Sequence, residues 1–203
     1  PGFALARPDH WQEAAAHAIR TFGFPIVVKP ARSGSSAGVS ITHTPHELST
    51  GIVDAFRHDS EILFEKYIPD KEATCAVLER FRGERLYAFP VVEIIPPANR
   101  KFFDTTCKYD GSSHELCPGR FSEDIRNRIQ RAAILAHDII GCRHYSRSDF
   151  IVTPAGDIHI LELNTLPGLT AESLFPKAAS SVGLTFPALL HHLLSLALKN
   201  PIR

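Results

Sequence analysis

Apolar residues recur along this chain at two spacings, and the switches between them mark out its elements. Ala14, Ala15, Ala18, Ile19 and Phe22 fall on one helical face, with Asp9 placed to cap that helix and Gly23 to end it. Residues 24–29 are short and β-branched and read as a strand stopped by Pro30. A glycine- and serine-rich loop and a further strand follow. A second helix is predicted from Pro45 to about His58. Residues 62–65, 74–79 and 86–95 read as strands separated by charged or glycine-containing turns, an antiparallel region. From Asn99 to Gly119 the chain is polar and without periodicity, long enough to be a functional loop or lid. Ser122 is placed to cap a long amphipathic helix reaching Ile140. Strands follow at about 145–152 and 158–163, and two helices starting at Glu172 and Phe186 close the chain. There is no internal repeat.

Composition narrows what this alternation can be. With 203 residues, 44% hydrophobic and 22% charged, the chain can form one large domain or two lobes, each with its own core. The 22 basic and 22 acidic residues cancel, so no sequence-wide field recruits nucleic acid or a membrane surface. Any phosphate site must be local. Cys75, Cys107, Cys117 and Cys142 are far apart and show no C-x-x-C spacing, which fits reduced thiols in a cytoplasm. No run approaches the length of a membrane span and no signal-peptide pattern opens the chain. The chain starts at Pro1 and contains no methionine, which reads as a piece lacking its natural start.

Chemistry concentrates near the C-terminal strands. In LELNTLPGLT, residues 161–170, Glu162 and Asn164 are two apart and would leave a strand on one face as two hard oxygen donors. Arg147 and Asp149 share a face of the preceding strand in YSRSDF. If the two strands pair, three oxygen ligands converge as magnesium prefers. The competing reading is a structural ion pair between Arg147 and a carboxylate. Gly168, in PGLT, could turn its N–H toward a developing oxyanion.

Upstream, the strand-terminal Lys29 precedes the loop ARSGSSAG, whose small residues can bring backbone N–H groups to an anion. The order of lysine and glycines is not that of a Walker A loop, and a plain hairpin turn is the alternative. Glu65, at a strand end, and Glu72 beyond it could serve an adenine edge and a ribose, or could simply be solvated charges. His191 and His192 on the last helix have no H-E-x-x-H partner and read as packed or solvated, and Trp11 reads as packing.

Taken in order, VKPARSGSSAGVS, EKYIPDKE, CKYDG, YSRSDF and ELNTLPGLT resemble the C-terminal, ATP-binding part of the D-alanine–D-alanine ligase family of ATP-grasp enzymes, over essentially the whole chain. The resemblance implies an α+β ATP-grasp fold of two lobes, antiparallel sheets with packed helices, holding nucleotide between them. The smaller lobe would be residues 1–68 with the phosphate-covering loop. The larger would be 69–203 with the magnesium site and mobile loop 99–119, the family's N-terminal domain being absent.

It also implies roles. Lys29, Ser36 and Lys108 would serve ATP phosphates; Glu65 with Lys66 and Ile68 would hold adenine, and Glu72 the ribose. Asp149, Glu162 and Asn164 would hold Mg2+ or Mn2+. Arg147 and Gly168 would stabilise the tetrahedral intermediate, Ser35 and Tyr109 would close the site, and Ser173 and Leu174 would take the second D-alanine's carboxylate. The implied activity is ATP-dependent formation of D-alanyl-D-alanine through an acyl phosphate, for peptidoglycan synthesis, by a cytoplasmic homodimer. Its partners would be small molecules, with no nucleic acid and no membrane. Tyr109 favours the dipeptide over a D-lactate ester. Another ATP-grasp carboxylate–amine ligase, of the D-alanine–D-serine type for example, or a non-catalytic nucleotide-binding module, are the alternatives.

Overall fold

The computed structural model describes residues 3–34, 36–95 and 114–199. Its residues divide into two compact units, one made of the described residues up to Pro69 and the other of those from Asp70 on.

The first unit runs β1 (Phe3–Ala6), α1 (Trp11–Phe22), β2 (Ile26–Pro30), β3 (Ser40–Thr42), α2 (Pro45–Phe56) and β4 (Ile62–Lys66). Its strands form an antiparallel sheet in the order β1-β4-β2-β3. Strand periodicity sorts the side chains: Ile26, Val28, Ile62 and Phe64 are buried against Ala15, Ala18, Leu48, Ile52 and Ala55 of the two helices. The opposite face carries Val27, Lys29, Leu63 and Glu65.

The start of α2 is well specified by sequence. Thr44 Oγ1 accepts the Glu47 N–H at 3.2 Å, the Glu47 carboxylate accepts the His43 N–H at 2.8 Å, and Pro45 occupies the first turn. The expected Asp9 cap does not form: His10 holds the cap position of α1 without a side-chain bond, and Asp9 instead pairs with the His10 ring at 3.2 Å. Strand β2 also runs through Pro30 rather than stopping before it. Trp11 packs against this core.

The second unit runs β5 (Lys71–Phe81), β6 (Glu84–Ala88), β7 (Val92–Ile95), β8 (His114–Leu116), α3 (Glu123–Ile140), β9 (Tyr145–Val152), β10 (Ile158–Asn164), α4 (Leu174–Ser181) and α5 (Phe186–Lys199). Its sheet has the order β10-β9-β5-β7-β8, with β6 also pairing β5. Helix α3 covers one face, where Ile129 and Ala133 pack on Ala73, Cys75, Val77, Phe150 and Val152. Ser122 caps it, its hydroxyl accepting the Ile125 N–H, and Gly141 ends it in the left-handed conformation. Edge-to-face contacts of Phe175 with Phe89 and Tyr145, at 5.5 and 5.2 Å, seat α4.

Three expectations need correction here. Residues 86–95 are two strands, not one, because the Phe89-Pro90-Val91 segment breaks the ladder between β6 and β7. Residues 114–116, expected inside a polar loop, are β8, paired antiparallel to β7. Helix α4 begins at Leu174, two residues later than expected. Among the described residues, no single helix is long and apolar enough to cross a membrane; the only qualifying pair, α4 with α5, is bent by 106°. Cys75, Cys117 and Cys142 are free thiols.

Candidate active site

The Thr153–Asp157 turn folds β10 back on β9, and the resulting register decides which side chains meet. The Asp157 N–H bonds to Thr153 Oγ1 at 3.0 Å and the Gly156 N–H to the Thr153 carbonyl at 2.9 Å, so the turn is locked locally. A register shift between Ile160 and Glu162 then places Glu162 opposite Asp149 and Asn164 opposite Arg147. On the other side of β9, Asp149 lies opposite Thr74 and Arg147 opposite Ala76 of β5. Arg147, Asp149, Glu162 and Asn164 therefore leave the sheet together, on the face away from α3, with Thr74 and Glu72 beside them on β5.

Asp149 is the hub of this ladder. Arg147 donates to both of its carboxylate oxygens, Nε and Nη2 each at 2.8 Å, and the Thr74 hydroxyl lies 2.6 Å from Oδ1. The two charged side chains are only 14% and 18% exposed, so this is a bidentate pair shielded from most solvent. Burial works against the Arg147 charge, but Asp149, then Glu162 and Glu115, outweigh it and push its pKa above the usual value. Asn164 Oδ1 accepts the Leu166 N–H at 3.0 Å.

Two carboxylates and an amide oxygen at adjacent register positions form a hard donor set. Carboxylate oxygens keep a second lone pair beyond the one a hydrogen bond uses, so these residues fit a divalent cation such as magnesium or manganese. Among the described residues no three His, Cys, Asp or Glu side chains group as a metal site would, so the set depends on Asn164 as third donor.

After β10, the chain turns so that Gly168 lies against Ser173: a Cβ on Gly168 would stand 2.8 Å from the Ser173 hydroxyl. That hydroxyl accepts the Thr170 N–H at 3.2 Å and lies 2.9 Å from Thr170 Oγ1, while the Ser173 N–H bonds to the Thr170 carbonyl at 2.9 Å. Ser173 occupies the cap position of α4 yet spends its side chain on this turn, and Leu174 is buried as the first helical residue.

The first unit carries its own constellation. Lys29 and Glu65 sit diagonally on the open face of β2 and β4, with Lys29 Nζ 2.9 Å from Glu65 Oε2, both side chains largely covered. Residues 31–39 connect β2 to β3, so the stretch is a hairpin connection, with Ser36 and Gly38 in the left-handed region.

The sequence matches the profile of the family described as D-ala D-ala ligase C-terminus over residues 3–195. The chain belongs to the D-alanine–D-alanine ligase family. It is 44% identical over 179 residues to the D-alanine–D-alanine ligase of Syntrophobacter fumaroxidans, covering 88% of this chain and 56% of that protein. It is 43% identical over 184 residues to that of Desulfotalea psychrophila, covering 90% and 56%. The chain thus spans a little over half the length of these relatives. Among solved structures, it superposes on the VanG D-Ala:D-Ser ligase from Enterococcus faecalis with a TM-score of 0.83 at 34% identity, covering 97% of this chain and 56% of that one. The D-alanine–D-alanine ligase from Bacillus anthracis gives 0.80 at 30% identity, over 98% and 62%. The two α+β units have the ATP-grasp architecture of these ligases.

Within this ligase fold the expected residues fall into three groups. Arg147, Asp149, Glu162 and Asn164 are adjacent in register, Gly168 touches Ser173, and Lys29 pairs with Glu65. Glu72 lies on β5 opposite Ile151 and Ile94, two residues before Thr74, while Lys66 ends β4 and Ile68 follows it. Ser35, Lys108 and Tyr109 lie outside the described residues. Sequence reading missed Thr74, whose hydroxyl also reaches the Ser148 carbonyl at 3.1 Å. Its i+2 spacing from Glu72 was the one available signal. It also missed Glu115, which pairs with Lys177 at 2.8 Å and acts on Arg147. Nothing local to residue 115 announces that role.

Proposed function

We propose that this chain supplies the nucleotide-binding and acyl-transfer part of an enzyme that joins two D-alanine molecules at the expense of ATP, forming D-alanyl-D-alanine for peptidoglycan in the cytoplasm. The observation that carries the reading is the ladder of Arg147, Asp149, Glu162 and Asn164 in a chain that matches the ligase C-terminus over residues 3–195. In this scheme Asp149, Glu162 and Asn164 would hold a magnesium or manganese ion, which would supply positive charge toward the phosphates.

The protein's own groups do the rest. Lys29, steadied by Glu65, presents its ammonium to the triphosphate, and the loop that follows covers it with backbone N–H groups and Ser36. Ser35, Lys108 and Tyr109 complete that cover. Glu65 with the backbone of Lys66 and Ile68 takes the adenine edge, and Glu72 the ribose hydroxyls. The carboxylate of the first D-alanine attacks the γ-phosphorus, giving an acyl phosphate and ADP. The amine of the second attacks the acyl carbon, giving a tetrahedral oxyanion that collapses with loss of phosphate.

Arg147 can meet that oxyanion because Asp149, itself bonded by the Thr74 hydroxyl, holds its planar fork in one orientation, so little reorganisation is needed when charge develops. The Gly168 N–H is the second donor. Ser173 and Leu174, at the start of α4, hold the second substrate's carboxylate, which the positive end of a helix favours. The complete enzyme works as a homodimer on small-molecule substrates.

The likeness to a D-Ala:D-Ser ligase supports a second reading, in which D-serine is the acceptor. One experiment addresses both. The complete protein as made in the cell is given ATP, magnesium and D-alanine, with or without D-serine, and released phosphate and product mass are followed. D-alanine-stimulated phosphate release with dipeptide is expected. Phosphate release that ignores both amino acids would rule the ligase reading out, and preferential D-alanyl-D-serine would favour the second.

A further inference from the structure

The loop between β2 and β3 is held from below by a segment that the catalytic scheme leaves unused. Residues 58–61, between α2 and β4, contact it at both ends. At its start, the Ala31 N–H bonds to the Glu61 carbonyl at 2.8 Å, and the Arg32 N–H bonds to Asp59 Oδ2 at 2.8 Å. The Arg32 guanidinium pairs with both Glu61 and Asp59. At its end, Gly38 lies against the His58 ring, so close that a Cβ would stand 2.6 Å from His58 Cδ2 and 3.0 Å from Pro30 Cγ. Gly38 is at φ +72°, which independently favours glycine there.

Asp59 organises this segment. Its Oδ1 accepts the Glu61 N–H at 3.2 Å while Oδ2 takes Arg32, so one carboxylate fixes the segment and the loop base together. Partial burial works against its charge, yet the N–H groups of Glu61 and Arg32 and the Arg32 charge outweigh that and hold its pKa below the ordinary value. Beyond Glu61 lies Arg7, 2.7 Å from Oε1, on the side away from the loop.

We propose that residues 58–61, led by Asp59, are a positioning platform that fixes the hairpin loop so that its backbone N–H groups meet a nucleoside triphosphate. The platform touches no substrate. It acts by fixing where the loop starts and ends, so that less conformational freedom is lost when an anion binds. The inference rests on the reading of this loop as the cover of ATP phosphates.

The test uses the complete protein with a non-hydrolysable ATP analogue and magnesium in titration calorimetry, together with the KM for ATP, the KM for D-alanine and the melting temperature. Asp59→Ala should weaken analogue binding and raise the ATP KM about tenfold, the scale of one lost charge-assisted hydrogen bond. The D-alanine KM should stay close to wild type, and the melting temperature should fall by only a few degrees. Asp59→Asn keeps one acceptor oxygen, enough for the Arg32 N–H or the Glu61 N–H but not for both, and should recover only part of the loss. Arg7→Ala, cutting the far side of the same cluster, should leave ATP binding unchanged.

Gly38→Ala provides a second approach, from the loop side. It should raise the ATP KM by pressing on His58, and adding His58→Ala should recover part of it by removing the clash. If wild type binds the analogue and both Asp59→Ala and Gly38→Ala bind it equally well, the platform has no positioning role. If wild type itself does not bind the analogue, the ligase reading falls and this inference falls with it.

Discussion

The Arg147–Asp149 ion pair is present, and it uses the same carboxylate oxygens that the proposed cation site would need. Both oxygens of Asp149 are engaged by one guanidinium, so a cation approaching Asp149 and Glu162 must share or displace that fork. Arg147→Ala should therefore bind manganese several-fold more tightly, read by electron paramagnetic resonance without nucleotide, while product formation falls by a factor of about a hundred or more. Unchanged manganese affinity would mean that the fork and the cation do not compete. Arg147→Lys keeps the charge but not the two parallel bonds, and should restore little activity. A different residue, His137, governs a pH response. Its Nδ1 is 2.7 Å from Ser146 Oγ and its ring is 1% exposed, and burial lowers its pKa although Glu79, 3.8 Å from Nε2, works the other way. The unfolded chain then binds the proton first, near the ordinary imidazole value of 6.5, so stability is full above that pH and declines as pH falls below it. Melting temperature should drop between about pH 7 and 5, and His137→Gln should flatten that slope. The Arg147 ion pair was legible in the sequence as one of two readings, but only the register supplies Thr74, and only the packing of α3 on β9 sets His137 against Ser146.

At the scale of elements, local signals were readable where the chain carries its own instructions. Thr44 with Pro45 and Glu47, Ser122, and the Thr153–Asp157 turn each complete their hydrogen bonds within a few residues, and the elements they bound appear where the pattern puts them. The misplacements are of another kind. Strand β8 is three residues with no alternation of its own and exists because β7 offers an edge, and the break at Phe89-Pro90-Val91 is hidden by an apolar run. The turn after β8 illustrates how such an element is kept. Glu93, 2% exposed on β7, accepts the Arg120 N–H at 2.8 Å and pairs with the side chains of Arg120 and Lys71, while the Gly119 N–H reaches the Val91 carbonyl at 2.7 Å. Burial alone would raise the Glu93 pKa, but these cationic and N–H partners bring it below the usual value. A Cβ at Gly119 would meet the Glu93 nitrogen at 2.8 Å and the Phe121 ring at 2.9 Å, with backbone on one side. Gly119→Ala should cost about 1–3 kcal/mol by forced repacking. Chemical denaturation would show this as a lower midpoint with an unchanged slope, and an unshifted midpoint would mean that the turn gives way freely.

At the scale of the whole chain, two units with two cores mean that stability has two addresses. Phe64 is fully buried on β4 within the cluster formed by α1, α2 and the first sheet, whereas Phe150 is buried on β9 under α3. The sequence implied two lobes through its family resemblance, but apolar spacing could not say which apolar residues belong to which core. That assignment depends on strand order, and β1, β4 and β2 become neighbours although two helices lie between them in the chain. Removing the Phe64 ring leaves a cavity costing about 3–5 kcal/mol, a large part of the 5–15 kcal/mol that a folded domain typically has. Phe64→Ala should therefore abolish slow amide exchange throughout β1, β2 and β4 and along the buried faces of α1 and α2. Because Lys29 and Glu65 leave the opposite face of those same strands, nucleotide affinity should fall with it even though no side chain proposed to contact ATP has changed. Phe150→Ala should act likewise on β5 and β9, the strands that set Arg147 against Asp149 and Thr74, and should lower turnover. Exchange measured residue by residue by NMR decides the matter. If Phe64→Ala left protection in β2 and β4 intact, the sheet would owe its order to something other than the core beneath it, and the placement of Lys29 by that core would have to be abandoned.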